Sequence, residues 1–288
     1  MGGPDLGPNV DLANSPPAAP RQCAVGAPFA TPRIVSGLVD VTALEDARFT
    51  TDELTTYYTL YGPPVGNIAS MIRSAHRTSV NTPFVAGPFI TELGNASDFM
   101  ARGPTLSRDQ LTIYFERQAS TSPTWAIYTA SRASIAAPFD APTAVPALAG
   151  YAAPFLSDDG LRLYVQNSDD GTGTYTHIFV SALSNGAFGN PVLIATISSN
   201  DYERTPVESA DGLELFFAHA ISSDSNVMVV SRTDVSQPFG APTLVNLQGT
   251  SSSPRLPTWL SRNACRLYFS TTLSDGTSAI LVAERSSH

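Results

Sequence analysis

The chain of 288 residues contains no lysine: all sixteen basic residues are arginine, set against twenty-five acidic ones, for a net charge of −9. An acidic balance without a basic cluster argues against nucleic acid and anionic membrane surfaces as partners. Charged residues are scarce at 14% while apolar ones reach 42%, so the chain can build a sizeable core and is not compositionally disordered. No apolar run approaches the ~18 residues that span a bilayer, and no stretch follows a helical period. The four histidines (His76, His177, His219 and His288) are scattered, with no His-x-x-x-His and no Cys-x-x-Cys, which leaves no zinc spacing. Gly-x-Ser-x-Gly is absent as well. Neither a metal nor another cofactor is expected.

What is present is a repeat. Pro154-Phe155-Leu156-Ser157-Asp158-Asp159-Gly160-Leu161-Arg162-Leu163-Tyr164 reads as a strand end, a tight turn and a second strand with alternating apolar residues. Pro104–Tyr114, Pro206–Phe216 and Leu260–Tyr268 are variations on it, and Phe49–Tyr57 is a worn fifth copy. The turn serines Ser107, Ser157, Ser209 and Ser261 are 50, 52 and 52 residues apart, and Thr50 precedes Ser107 by 57. A second marker keeps step: Pro28-Phe29, Pro83-Phe84, Pro138-Phe139, Ala187-Phe188 and Pro238-Phe239. After it a proline opens a short apolar strand, at Pro32, Pro88, Pro142, Pro191 and Pro242. Between the markers lies a third strand, such as His177-Ile178-Phe179-Val180 or Val227-Met228-Val229-Val230.

Four short antiparallel strands at such a period mark a propeller blade, which buries both faces of its sheet only by stacking between neighbours. The last repeat stops at Ala283-Glu284-Arg285, after its third strand, and the chain opens with the missing piece, Pro28-Phe29 and Ile34-Val35. The expected fold is therefore all-β: a five-bladed propeller of four-stranded antiparallel blades, closed by an N-terminal strand at about residues 32–38. Residues 1–27 read as a flexible lead-in rich in Pro and Gly, and 28–288 as one propeller domain. The lead-in shows no basic n-region and no hydrophobic h-region, so no signal peptide is read in it; the chain is either a cytoplasmic protein with a loose tail or a mature exported one, and the cysteines below favour export.

The pattern Pro-x-Leu-Ser-x-Asp-Gly-x-x-Leu-Tyr at 154–164 resembles the TolB-type, WD-like propeller repeat, over roughly residues 28–285. The matching residues are turn and core positions, so the resemblance speaks for architecture. It implies exported or periplasmic proteins that bind protein or peptide partners, and it includes domains attached to hydrolases. The six-bladed ring and additional N-terminal domain of TolB have no counterpart in these repeats, so its partners are not carried over.

Two cysteines remain. Cys265 replaces the leucine that follows the turn in other copies (Leu111, Leu161, Leu213), and Cys23 lies just before the strand assigned to the same blade. The closure inference brings them together as a disulfide, which would favour an oxidising compartment. The Asp-Gly turns (Asp159-Gly160, Asp211-Gly212) repeat at equivalent positions and read as hairpin chemistry. Asp169-Asp170-Gly171 lacks the further oxygen ligands that Ca²⁺ needs, and Asn95-Ala96-Ser97 fits a glycosylation acceptor by sequence alone.

Specificity is expected just before each innermost strand, where the segments do not repeat. These carry Glu45-Asp46-Ala47-Arg48, Ser97-Asp98, Tyr151, Asp201-Tyr202-Glu203-Arg204 and Ser253-Pro254-Arg255. A closed ring converges such segments on one axis, so Asp46, Asp98, Tyr151, Asp201, Tyr202, Glu203 and Arg204 form the candidate ligand-binding set. The reading is a non-catalytic, monomeric binding propeller for a protein, peptide or glycan. The alternative is a five-bladed glycoside hydrolase using Asp46, Asp98 and Glu203, since two carboxylates must flank a scissile glycosidic bond.

Overall fold

The computed structural model describes residues 21–62, 70–94, 99–119, 125–167, 175–221, 224–247 and 255–285. Asp98, Ser253, Pro254, His288, the Asn95–Ser97 triplet and the Asp169–Gly171 run lie outside them.

The ring of five antiparallel sheets follows from the repeat. The first blade comprises β2 (Leu44–Phe49), β3 (Thr55–Tyr61), β4 (Ser70–His76) and β5 (Val85–Phe89). The second comprises β6 (Phe99–Leu106), β7 (Thr112–Ala119), β8 (Ala126–Ser131) and β9 (Thr143–Ala149). In the third, β10 (Tyr151–Leu156), β11 (Arg162–Asn167) and β12 (Ile178–Ser184) are followed by a split outer strand, β13 (Ala187–Phe188) and β14 (Val192–Leu193), both paired to β12. The fourth holds β15 (Tyr202–Glu208), β16 (Glu214–Ile221), β17 (Asp224–Ser231) and β18 (Thr243–Leu244). The fifth joins the chain's two ends. It runs β19 (Arg255–Leu260), β20 (Arg266–Thr272) and β21 (Ser278–Glu284), with β1 (Arg33–Asp40) as the outer strand. Arg33 faces Val282 and Ile34 faces Leu281 in that pairing, and Phe29 bridges Arg285. The inner strands β2, β6, β10, β15 and β19 touch in cyclic order around the axis.

Closure is covalent as well. Cys23 and Cys265 form a disulfide across a separation of 242 residues. Residues 21–27, grouped with the lead-in on composition, are held against the last two blades. The Arg21 guanidinium donates to both oxygens of Asp211 at 2.6 and 2.9 Å and to Glu214 at 2.7 Å. The Gln22 amide donates to the Asn263 carbonyl at 3.0 Å.

Each turn is a small hydrogen-bonded module. The turn hydroxyl (Thr50, Ser107, Ser157, Ser209 or Ser261) donates to the Asp or Asn two residues on, whose oxygen accepts the amide of residue 54, 111, 161, 213 or 265. The next residue has positive φ, from +60° at Glu53 to +74° at Gly160. Gly160 N donates to Ser157 O and Ser157 N to Arg162 O, the pattern of a type I turn followed by a left-handed residue. The repeated aspartates are thus structural.

One difference concerns the second outer strand. Sequence placed it after Pro88, at Phe89-Ile90; β5 instead begins at Val85, with Pro88 inside it. An outer strand bonds on one side only, so the missing N–H costs no ladder bond.

In four of the five blades a second repeated device binds the third strand to the outer loop. Arg77, Arg132, Arg232 and Arg285 lie over the rings of Phe84, Phe139, Phe239 and Phe29 at 4.4, 4.5, 4.2 and 4.8 Å. Their Nε atoms donate to the turn carbonyls of Glu53, Gln110, Gly212 and Ala264. The Arg285–Phe29 pair completes the motif with a ring from the other end of the chain.

Candidate functional site

The polar segments assigned to loops stand mostly on the inner strands themselves: Glu45–Arg48 in β2, Tyr151 in β10, and Tyr202–Arg204 in β15, with Asp201 just ahead. A β-bulge in each inner strand accounts for this. Register shifts between Glu45 and Arg48, Arg102 and Thr105, Ala152 and Phe155, Arg204 and Val207, and Pro257 and Trp259. In the first four blades the bulged residue has left-handed backbone: Asp46 at φ 56°, Gly103 at 60°, Ala153 at 49° and Thr205 at 50°. Such bulges re-aim side chains and recur beside functional sites.

In the second, third and fourth blades the bulge also frees an amide that the preceding blade satisfies. Gly103 N donates to Thr59 Oγ1 at 2.9 Å, Ala153 N to Glu116 Oε1 at 2.8 Å, and Thr205 N to Gln166 Oε1 at 3.0 Å. In the fifth blade the equivalent residue is Pro257, which has no N–H, and the equivalent of the acceptor is Ala218. The donor and the acceptor are missing together, as a buried polar inventory requires.

Two groups of side chains result on the rim formed by the strand starts. The first lies between the first two blades. Asp46 Oδ2 accepts from Thr59 Oγ1 at 3.0 Å, and Arg102 Nε donates to Glu116 Oε2 at 2.8 Å while its guanidinium covers Trp125 at 3.9 Å. Burial raises the Glu116 carboxyl against the pull of Arg102. Glu45 stands beside them with its carboxyl pushed up to about 7, chiefly by burial and then by neighbouring Asp46. The Tyr61 hydroxyl is pushed well up by burial and by the same two carboxylates.

The second group lies between the third and fourth blades. Tyr175 and Tyr202 meet edge-to-face at 5.5 Å, and the Arg204 guanidinium sits over Tyr202 at 4.7 Å. Asp201 Oδ2 lies 3.3 Å from His219 Nε2. Tyr175 is 40% exposed, and Tyr202, Arg204, Asp201 and His219 are half-buried. Together they form a ledge with an aromatic face, a cation and a carboxylate.

Glu203 is different from what its sequence neighbours suggest. It is 0% exposed, with Oε2 at 2.7 Å from His177 Nδ1 and Oε1 accepting from Ser199 Oγ. Its amide donates to Thr176 O in the third blade, so the whole residue is a strut between blades. Half-buried Tyr151 packs edge-on against Phe179 at 5.2 Å, against the core cluster shared by the second and third blades. The structure therefore unites Asp201, Tyr202 and Arg204, sets Asp46 in a separate group, and turns Glu203 and Tyr151 inward. The candidate set left out Glu45, although its segment had been singled out, and sequence reasoning missed Arg102, Glu116, Tyr175 and His219. Glu116 was legible in principle, since the aligned second-strand residue is another long polar side chain, Gln166.

The fold recurs in solved structures of low sequence identity. A thermostable family-43 glycoside hydrolase is 13% identical with a TM-score of 0.60, covering 88% of this chain and 92% of that one. The endo-arabinase of Bacteroides thetaiotaomicron VPI-5482 is 13% identical with a TM-score of 0.58, covering 90% and 98%. TolB from Acinetobacter baumannii is 15% identical with a TM-score of 0.47; the match covers 85% of this chain and 56% of the TolB chain. At such identities the likeness is one of fold. No protein-family model matches the chain, and no curated protein matches it in sequence.

Proposed function

We propose that the chain is an exported, non-catalytic binding propeller that takes a polar ligand, a peptide or a glycan, on the ledge of Tyr175, Asp201, Tyr202, Arg204 and His219. The observation that carries this reading is the division of labour among the rim's polar residues. Glu116 and Glu203 are buried as interblade acceptors, while the ledge keeps an exposed ring, a guanidinium and a carboxylate together. Those groups supply stacking, donors and acceptors, the elements that orient a polar ligand. Export is supported by the disulfide, which persists in oxidising compartments.

One observation favours a second reading, hydrolysis of a glycoside. Glu45, its carboxyl pushed up to about 7 by burial and by neighbouring Asp46, stands beside that second carboxylate, and a carboxyl raised toward neutral pH beside another is the pattern of a glycosidase's acid and its partner. Asp98 of the original acidic trio lies outside the described residues, so this reading rests on Glu45 and Asp46.

Peptide and glycan arrays probed with the wild type and with Asp201→Ala/Tyr202→Ala, alongside reducing-sugar release from arabinose-containing glycans, separate the two. Retention on the array that the double variant weakens by about 1–3 kcal/mol, with no sugar release, is the expected result. Sugar release abolished by Asp46→Asn would replace the binding reading with the hydrolytic one.

A further inference from the structure

At the other end of the inner strands, on the side of the turns, lies a cavity of about 40 Å³ to which all five blades contribute. Its wall includes the residue one position before each turn hydroxyl (Phe49, Leu106, Leu156, Glu208 and Leu260) and, from two positions before, Arg48, Phe155 and Trp259. At the second of these positions four blades carry Thr105, Phe155, Val207 and Trp259, and the first carries Arg48. An arginine therefore stands on the axis of the ring, 3% exposed.

Among the described residues Arg48, like buried Arg77 and Arg132, has no ion pair with a carboxylate, in contrast to Arg162, Arg232 and Arg285. Arg162 and Arg232 share the carboxylate of Glu208, and Arg285 holds Glu214 at 2.6 Å. Among the described residues Arg48 touches no carboxylate and its Nε has no hydrogen-bond partner; its Nη1 donates to the Thr258 carbonyl, and its guanidinium lies 5.0 Å from the Phe155 ring centroid. Burial draws the group down to about 10, and Asp46 opposes that only through space. Two more donors of the same wall, Trp259 Nε1 and Arg262 Nε, are buried without partners among the described residues. The carboxylates on the wall are already committed. Asp158 pairs with Arg262 at 2.9 Å, and Glu208 is held by Arg162, Arg232 and Tyr164. An unmatched positive charge and unmatched donors thus converge on one cavity of an acidic protein. Uncompensated buried charge is costly and is relieved by a counter-charge.

We propose that this end of the channel is a binding site for a small carboxylate, with Arg48 as its charge partner and Trp259 and Arg262 as flanking donors. The cavity exceeds the ~10–15 Å³ that admits one water, so a group of a few heavy atoms fits. A carboxylate is planar and matches the edge of a guanidinium. The rings of Phe155 and Trp259 suit a short alkyl stem behind it. Phosphate, with a second negative charge, would be set against Asp158 and Glu208. The ligand is either a free short-chain acid or the carboxylate terminus of a peptide, which present the same group.

Trp259 reports on the site, and Trp125 is the other tryptophan. In the Trp125→Phe protein, propionate titrated at constant ionic strength should change Trp259 emission saturably and raise the melting temperature. Arg48→Met, made in the same background, should weaken the response by about tenfold or more, the loss expected for one charged hydrogen-bonding partner. A short peptide with a free carboxyl end that binds more tightly than propionate, and stops binding when amidated, would identify the peptide as the source. Binding of propionate with no such gain would identify a free acid. If Arg48→Met does not fold, Arg262→Gln and the series of anions decide the matter. Chloride or phosphate reproducing the propionate response, a response unchanged in both variants, or no saturable response to propionate or peptide would each overturn the proposal.

Discussion

Arginine does in this protein what lysine could not. At Arg132 one guanidinium lies over Phe139 while its Nε donates to the Gln110 carbonyl and Nη2 to the Tyr57 hydroxyl at 3.1 Å. A compact ammonium has neither the flat face nor the fixed fork for all three. The spacing was visible in the chain, since Arg77, Arg132 and Arg232 each precede their phenylalanine by seven residues, but periodicity alone does not say which face of a ring a cation covers. Burial of Glu203 was not visible at all, because a carboxylate between two polar neighbours reads as a solvated loop until the adjacent blade supplies His177. The residue with the clearest pH signature is Glu45. Its carboxyl is raised from an ordinary 4.5 to about 7 in the folded chain. Between those values the folded state keeps a proton that the unfolded state has lost, so this residue's contribution to stability falls as pH rises through that window. Glu45→Gln should therefore leave stability nearly unchanged at low pH and raise it by roughly 1–3 kcal/mol at about pH 8. Thermal melts of both proteins across the window check this; a variant that is equally stabilised at both ends would remove the buried-carboxyl account.

Among elements, the inner strands show how repetition and specificity coexist. The bulge is common to all five, and in the second, third and fourth blades its amide donates to the preceding blade. The acceptors differ (Thr59, Glu116, Gln166), and the interface between the fourth and fifth blades dispenses with the bond by pairing Pro257 with Ala218. Sequence periodicity located the strands because turn serines and alternating apolar residues are set locally. It misplaced the rim residues by a few positions, because a bulge is a relation between two strands and leaves no fixed residue type behind. Asp46, Gly103, Ala153 and Thr205 share the conformation without sharing chemistry. The interblade bond gives a prediction at this scale. Gln166→Leu should strand the Thr205 amide and cost about 1–3 kcal/mol. Gln166→Glu should cost much less, since Glu116 already serves as the same acceptor one blade earlier. Denaturant melts, together with faster exchange of the Thr205 amide in the leucine variant alone, would bear this out. Equal losses in the two variants would mean that packing, and not the hydrogen bond, holds the interface.

For the molecule as a whole the question is what keeps a ring of stacked blades closed. Three ties act at one place: β1 pairs with β21, Arg285 covers Phe29, and Cys23 is bonded to Cys265. The order of markers along the chain made this closure legible, because the last repeat lacked the strand that the first residues supply. Arg21, by contrast, gave no signal, since its partners Asp211 and Glu214 lie about two hundred residues away in sequence. The three ties act on different states. The strand and the stacked ring stabilise the folded ring directly, whereas the disulfide acts mainly by restricting the unfolded chain across its separation of 242 residues, worth about 5 kcal/mol in the chain-entropy model. Cys23→Ser should therefore lower the melting temperature while leaving the blades and any ligand affinity intact. A chain lacking residues 1–38 should fall much further, because it also exposes the edge of β21 and the apolar side that Val35 and Leu38, at 2% and 0% exposure, now cover. A chain lacking only residues 1–20 should melt as the full chain does, since every tie named here lies beyond them. Melting curves of the three variants, with non-reducing peptide mass spectrometry to identify the Cys23–Cys265 link, test the scheme. If both truncations melt alike, the N-terminal strand does not close the ring; if protein made under oxidising conditions carries two free thiols, the bridge and the case for export fall together.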